Sequence, residues 1–495
     1  MSLKLNIAAN YVSQIYLSFL GIVMVPIYVK YMGIEAYGLV GFFALLQGWL
    51  LLLDMGLSST IARESSLFNG GASTPYFFQR LLRAFEYIYI GLSICTALIV
   101  LFSAKYIAVD WLKVESLPVS QVYQSIVFMG LIIALRLISG LYKGIIIGSE
   151  KLIWLSGFNV IIASIRFISI IPILIFVDST PTTFFSFQLV VAILELCILF
   201  SKSKTVIQNI KTKTVNGIPR RTLSSAIKFS ASVGFTTAIW VMVTQTDKLL
   251  LSKFIPLVDY AYFTVAVLAA SAITLVSIPI SGALQPRLSK LAAEGDEVAF
   301  IRLYRQATQL VGVIVVPCVL ILALFGQSVL WVWTQNEILI SQMTNVLALY
   351  ACGNGLLAFG AFPYYLQFAK GNIRLHIIGN ILFLVFMIPM IVWFTLNYGP
   401  DGAAWAWLVI NAMYFILWVA VVHRKFLKGL HISWLVKDVL SILLFPLIFA
   451  LVMKNIIVFP NDRYQQGAIL ASICIVLLLA SAISSSAIRK LFFKL

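Results

Sequence analysis

Lys30-Tyr31-Met32-Gly33-Ile34-Glu35-Ala36-Tyr37 closes the first apolar run, and 223 residues later Lys253-Phe254-Ile255-Pro256-Leu257-Val258-Asp259-Tyr260 repeats its frame. Lysine, aromatic residue and tyrosine recur at the same spacing. Outward from this pair, offsets of 222 to 224 match Arg63 with Arg287, Phe78-Gln79-Arg80-Leu81-Leu82-Arg83 with Phe300-Ile301-Arg302-Leu303-Tyr304-Arg305, and Tyr142 with Tyr364. Each match alone is weak, but four in register point to an internal duplication. In a membrane chain such a repeat marks two lobes around a pathway.

Membrane character follows from composition. The 495 residues are 61% hydrophobic and 11% charged, with a mean hydropathy of +1.01. Both values lie outside the range of soluble domains. Fourteen apolar runs are long enough to cross a hydrocarbon core of about 30 Å. They fall near 7–29, 36–61, 84–104, 121–143, 152–177, 183–201, 225–252, 260–285, 304–327, 343–368, 376–396, 403–422, 438–458 and 467–488. The runs lack strand alternation, and lipid offers no partner to an unpaired backbone, so they are predicted to be helices. The first is too long for a cleaved signal and lacks a small-x-small site, so it is expected to remain as a span.

An N-terminus in the cytoplasm places 26 of the 35 basic residues on that side, the arrangement the positive-inside rule favours. The predicted topology is N-in, C-in. The net charge of +17 then reports topology and attraction to anionic headgroups, and nucleic acid is not an expected partner. Cys95, Cys197, Cys318, Cys352 and Cys474 lie within runs without paired spacing and read as packing residues. His376, His423 and His431 have no zinc spacing, so no metal is expected.

The predicted organisation is an N-lobe at 1–201 (six helices), a basic cytoplasmic linker at 202–224, a C-lobe at 225–423 (six helices), and two appended helices with a tail at 424–495. Six helices per lobe is an even number, so the halves should form a parallel repeat. Of the prolines inside runs, Pro26 lies in the first helix, where a bend would serve as a gate.

Two parallel six-helix lobes with short external loops resemble the multidrug/oligosaccharidyl-lipid/polysaccharide exporter superfamily. Leu53-Asp54-Met55-Gly56-Leu57 followed by Arg63 resembles the second-helix signature of its polysaccharide (O-antigen, Wzx-type) flippases. Tyr31 to Gly38, and Asp247-Lys248-Leu249-Leu250-Leu251-Ser252-Lys253-Phe254, are similar to that branch too. The resemblance covers the first twelve spans. It implies a flippase in the bacterial cytoplasmic (inner) membrane that moves an undecaprenyl-diphosphate-linked glycan. Expected partners are membrane lipids and the polysaccharide polymerase and chain-length regulator, with no cofactor beyond a proton or sodium coupling ion. The related lipid II flippase also has fourteen helices, the last two helping to hold the lipid tail.

Such cargo needs fixed cations where bulk water is absent, and arginine stays charged there and grips phosphate in pairs. Ionisable residues within spans are therefore candidates. Arg166 leads, near mid-span on a face with Ser156, Asn159 and Ala163. Arg136 shares a face with Gly140 and Lys143, and Asp54 and Glu195 reach similar depth. Phosphate capture and a buried ion-pair layer are both open for it. Lys248 reads as a ligand group or a snorkelling lysine, and Asp247 as a coupling acid or its neutralising neighbour. Asn10 and Gln14 line the face of the first helix that corresponds to the polar stripe of the seventh.

Two alternatives stand beside the flippase. A drug/cation antiporter of the same superfamily would favour acidic binding residues, whereas Arg136 and Arg166 are cationic. A membrane glycan polymerase or ligase would need a large external loop with paired acids; the predicted loops hold only isolated ones such as Asp110, Glu115, Glu337 and Asp401.

Overall fold

A computed structural model describes residues 3–207 and 220–492. Lys211 and Lys213 of the basic linker lie outside these residues. Among them the chain is helical throughout; its sole strand-like feature is one bridge between Lys113 and Pro256. Among the described residues twelve helices are long and apolar enough to cross a membrane, so this is a multi-pass membrane protein. One of them, Arg374–Phe426, contains both expected spans 376–396 and 403–422. Its two arms meet at Gly399, whose φ of 58° and ψ of −142° break the helical path, and Pro400 follows. Phe383 touches Tyr414 and Trp407, so the arms run antiparallel. The expected span 225–252 falls within helix Arg220–Phe254.

The chain forms two compact units, Met1–Ala261 and Tyr262–Leu495. The first contains α1 (Leu3–Val23), α2 (Val25–Met32), α3 (Ile34–Asp54), α4 (Leu57–Asn69), α5 (Pro75–Tyr106), α6 (Val119–Gly148), α7 (Leu152–Ile168), α8 (Ile170–Phe176), α9 (Pro181–Ile207) and α10 (Arg220–Phe254). Its apolar core includes Leu81, Phe85, Tyr89, Leu141 and Ile145. The first span is interrupted at Met24, just ahead of Pro26. The fifth is interrupted at Ser169, three residues before Pro172.

The expected continuous span 36–61 is two helices. Met55 and Gly56 take left-handed conformations, with φ of 46° and 73°. Asp54 then caps the second piece: its carboxylate accepts Ser58 Oγ at 2.5 Å, the Ser58 amide at 3.3 Å and Tyr89 Oη at 2.6 Å. The amide bond replaces one of the partners a helix N-terminus lacks, and the two hydroxyls tie the carboxylate to α4 and α5. Helix α10 packs here: a Cβ on Gly234 would lie 2.7 Å from the Met55 carbonyl, and Ser230 bonds Thr60 at 2.5 Å. Small residues likewise bring α6 onto α4. A Cβ on Gly148 would lie 2.1 Å from the Ala62 carbonyl, the close backbone approach that membrane helices use in place of hydrophobic drive.

The second unit takes in most of α11 (Leu257–Glu294), then α12 (Glu297–Leu324), α13 (Gly326–Thr334), α14 (Glu337–Gly360), α15 (Phe362–Ala369), α16 (Arg374–Met413), α17 (Val419–Phe426), α18 (Leu430–Trp434), α19 (Ser441–Ile456), α20 (Arg463–Ser484) and α21 (Ser486–Phe492). The duplication shows in its caps. Thr74 accepts the Phe77 amide ahead of α5, and 222 residues later Asp296 accepts the Ala299 amide ahead of α12. Phe78 and Phe300 are both fully buried one turn on.

Helices α19 and α20 lie outside the repeat, yet they share the core of this unit. Fully buried Asp438, in the π-helical stretch Leu435–Leu440, accepts Arg305 Nε at 2.6 Å and Gln309 Nε2 at 2.6 Å. Gln309 Oε1 accepts Ser485 Oγ and the Ala487 amide, both at 2.9 Å. Tyr304 Oη pairs with His423 Nε2, whose Nδ1 meets His431 Nδ1 at 3.1 Å. One helix, α12, thus ties three later segments together. The five cysteines are free.

Candidate functional site

The charges of the first unit converge on Glu195. Its carboxylate is almost fully buried on α9, and each oxygen takes one cation: Lys143 Nζ from α6 at 2.7 Å and Arg166 Nη2 from α7 at 2.7 Å. Arg136, two turns before Lys143 on α6, stands within electrostatic range of both Arg166 and Glu195. The site therefore holds three cations against one carboxylate.

Arg136 has no carboxylate of its own. Its Nη1 donates to Gln47 Oε1 on α3, and its guanidinium lies 5.4 Å over the Phe43 ring. Its Nε and Nη2, and Nε of Arg166, are buried without a hydrogen-bond partner. Buried donors without partners carry a desolvation cost of about 1–3 kcal/mol each, so three on adjoining guanidiniums need an explanation. Gln188, two turns before Glu195, donates to the Arg166 carbonyl at 3.1 Å and fixes that end of α7 beside the Ser169 break. Helix α6 runs on to Gly148, past the expected end near residue 143. Arg136 consequently lies twelve residues, about 18 Å, from the end of its helix.

The other candidates fall elsewhere. Asn159 is half-buried on α7, two turns before Arg166, while Ser156 and Ala163 of the same expected face are buried within the protein. Asn10 and Gln14 are exposed on α1, which is tied to α7 by Tyr16 Oη and Ser164 Oγ at 2.7 Å. Lys248 turns back on its own helix, donating to the Thr244 carbonyl at 2.7 Å and pairing with fully buried Asp247 at 3.3 Å. Asp54 is occupied by the α4 cap. The structure thus brings Arg136, Arg166 and Glu195 together, pairs Lys248 with Asp247, and joins Asp54 to Ser58 and Tyr89. Gln47 and Phe43 are the participants the sequence did not single out. Lys143 shares the Arg136 face at helical spacing, but its position at a span edge reads as topology.

Chemically, the arrangement presents multidentate N–H donors and excess positive charge inside the membrane-spanning part of the protein. That suits a small multivalent oxyanion and repels cations.

The family model for "Polysaccharide biosynthesis protein" matches residues 3–292. A comparison with curated proteins returns no match. Among solved structures, the lipid II flippase MurJ in an inward closed conformation is similar, with a TM-score of 0.70, 16% identity and 98% of each chain covered. An inward-facing multidrug resistance MATE family transporter of the MOP superfamily gives 0.64 and 14%, covering 83% of this chain and 94% of that one. A MOP superfamily transporter from Pyrococcus furiosus, described by the reverse polarity of its binding pocket, gives 0.57 and 14%, over 85% and 95%. At these identities the likeness establishes the fold.

Proposed function

From the premise that the chain belongs to the polysaccharide biosynthesis protein family, we propose that it is a flippase for a polyprenyl-diphosphate-linked oligosaccharide. The cargo would be an O-antigen or similar surface-polysaccharide unit, moved from the cytoplasmic to the periplasmic leaflet of a bacterial inner membrane. The observation that carries the proposal is the cation excess around Glu195, with guanidinium nitrogens of Arg136 and Arg166 that no group among the described residues satisfies.

The mechanism follows from that geometry. A diphosphate entering from the headgroup layer exchanges water for the free donors of Arg136 and Arg166. Glu195 holds Arg166 and Lys143 in place, so they are ordered before the ligand arrives. Its single negative charge tempers the field without cancelling it, so binding stays reversible, as transport requires. The polyprenyl tail remains in lipid. Alternating access, driven in our proposal by a proton or sodium gradient, then releases the head on the far side.

Deleting the gene and weighing the cell's polyprenyl-linked sugars is the deciding experiment. Accumulation of complete units is the expected result and identifies the cargo. Incomplete units would point to an enzyme instead. Drug resistance on overexpression, with normal surface glycan in the deletion strain, would favour the antiporter reading.

A further inference from the structure

The hairpin whose two arms meet at Gly399, Arg374–Phe426, carries a groove, far along the chain from the Glu195 cluster. Its cavity of about 110 Å³ is lined by Gly379, Phe383, Phe386, Ile410, Leu417 and Trp418, with three further neighbours of the same apolar kind. Two features form it. Gly379 has no Cβ, and an added one would lie 2.1 Å from Trp418 Nε1, so the indole closes the groove's end and donates to the Leu375 carbonyl at 3.2 Å. The stretch Tyr414–Trp418 is π-helical, and from it Tyr414 meets Phe383 edge-on at 5.9 Å while Trp418 sits against Gly379. Phe386 and Leu417 are exposed along the rim, 52% and 60%, so the groove opens sideways onto hydrocarbon.

Charge marks one end. Arg374 lies five residues before Gly379 and Arg424 six after Trp418, which puts both about 7–9 Å beyond the Trp418 end. Both are exposed, and neither forms an ion pair among the described residues. Lys370, Lys425 and Lys428 stand at the same end, whereas Asp401, the single acid between residues 364 and 436, lies at the other, where it accepts Asn345.

We propose that this groove is a binding site for an anionic glycerophospholipid. One acyl chain lies along Phe383, Phe386 and Leu417 beneath Trp418, and the phosphate meets Arg374 and Arg424 at the basic end. An apolar trough alone would accept any chain; the unpaired cations select the headgroup. The positive-inside pattern assigns that end to the cytoplasmic leaflet. The site is independent of the diphosphate site of the first unit.

Native mass spectrometry of the full-length protein, titrated with phosphatidylglycerol and phosphatidylcholine of identical chains, tests the proposal. Each arginine is expected to favour the anionic lipid by about 5-fold, so Arg374→Gln with Arg424→Gln should lower the preference by about 25-fold. Leu417→Trp should fill the trough and weaken both lipids. All three side chains are exposed, and an unchanged melting temperature will confirm that the variants fold. Equal binding of the two lipids by the native chain, or an undiminished preference in the double variant, would overturn the proposal. So would displacement of phosphatidylglycerol by equimolar undecaprenyl phosphate that is insensitive to both arginines, since the groove would then hold a polyprenyl chain.

Discussion

Arg136→Gln removes a guanidinium whose direct partners among the described residues are the neutral Gln47 amide and the Phe43 ring, and which stands near a second cation, Arg166, and the Glu195 carboxylate. The loss to the folded protein is a charged hydrogen bond of about 1.5–3 kcal/mol and a cation–π contact of about 0.5–2 kcal/mol. Against this stands the release of a buried charge, an effective penalty of several kcal/mol per ion. The glutamine also retains a donor for Gln47. The balance should lie within about 1 kcal/mol of zero, so the melting temperature should hardly move. Ligand binding should behave differently, because Nε and Nη2 have no protein partner to lose. If they serve a diphosphate, each charge-assisted bond removed costs about 1.5–3 kcal/mol, which is about 10- to 150-fold in affinity per bond. Calorimetric titration of the purified protein with farnesyl diphosphate, beside a thermal melt, measures both. A variant that binds like the native chain would remove Arg136 from the ligand site. A variant destabilised by more than about 3 kcal/mol, the range for breaking a buried ion pair, would make it a structural residue.

Glu195→Gln strips Lys143 and Arg166 of their shared anion and should cost about 3–5 kcal/mol; farnesyl diphosphate should restore part of the lost thermal stability, and a melt with and without it decides. Asp438→Asn should destabilise by a similar amount through stranded Arg305, read as a lower melting temperature with diphosphate affinity unchanged. Gly148→Ala drives a methyl into the Ala62 carbonyl and should cost at least about 1–3 kcal/mol. Gly157→Ala, with nothing within 4 Å of its added Cβ, should be neutral or stabilising by up to about 1 kcal/mol; comparing membrane yields of the two variants checks the pair.

The helical fold was legible because apolar length and the repeat are one-dimensional signals. The frame that matched Phe78 to Phe300 matches buried anchors behind equivalent caps. The break at Met55-Gly56 was hidden within an apolar run: hydrophobicity has no marker for a left-handed backbone. The partners of Glu195 were hidden for a different reason. Helical spacing tells which residues share a face of α7 or α9, and it carries no information on which helix that face meets. Arg166 was therefore identifiable as a charge needing company, while its pairing with a carboxylate 29 positions away required the packed structure. Lys143 was obscured by its own legibility, since a lysine at a span edge already explains itself as topology.

The bond between Arg305 and Asp438 also has a consequence in time. The two residues are 133 positions apart, and chains are made at about 5–20 residues per second. The arginine is therefore made roughly 7–27 s before its carboxylate. Through that interval the Arg305 end of α12 lacks the buried carboxylate it pairs with, so this part of the second unit cannot settle until the penultimate span arrives. The last helices of this protein thus set when the earlier ones can settle, and a nascent chain stalled before residue 438 should be an early target for membrane quality control.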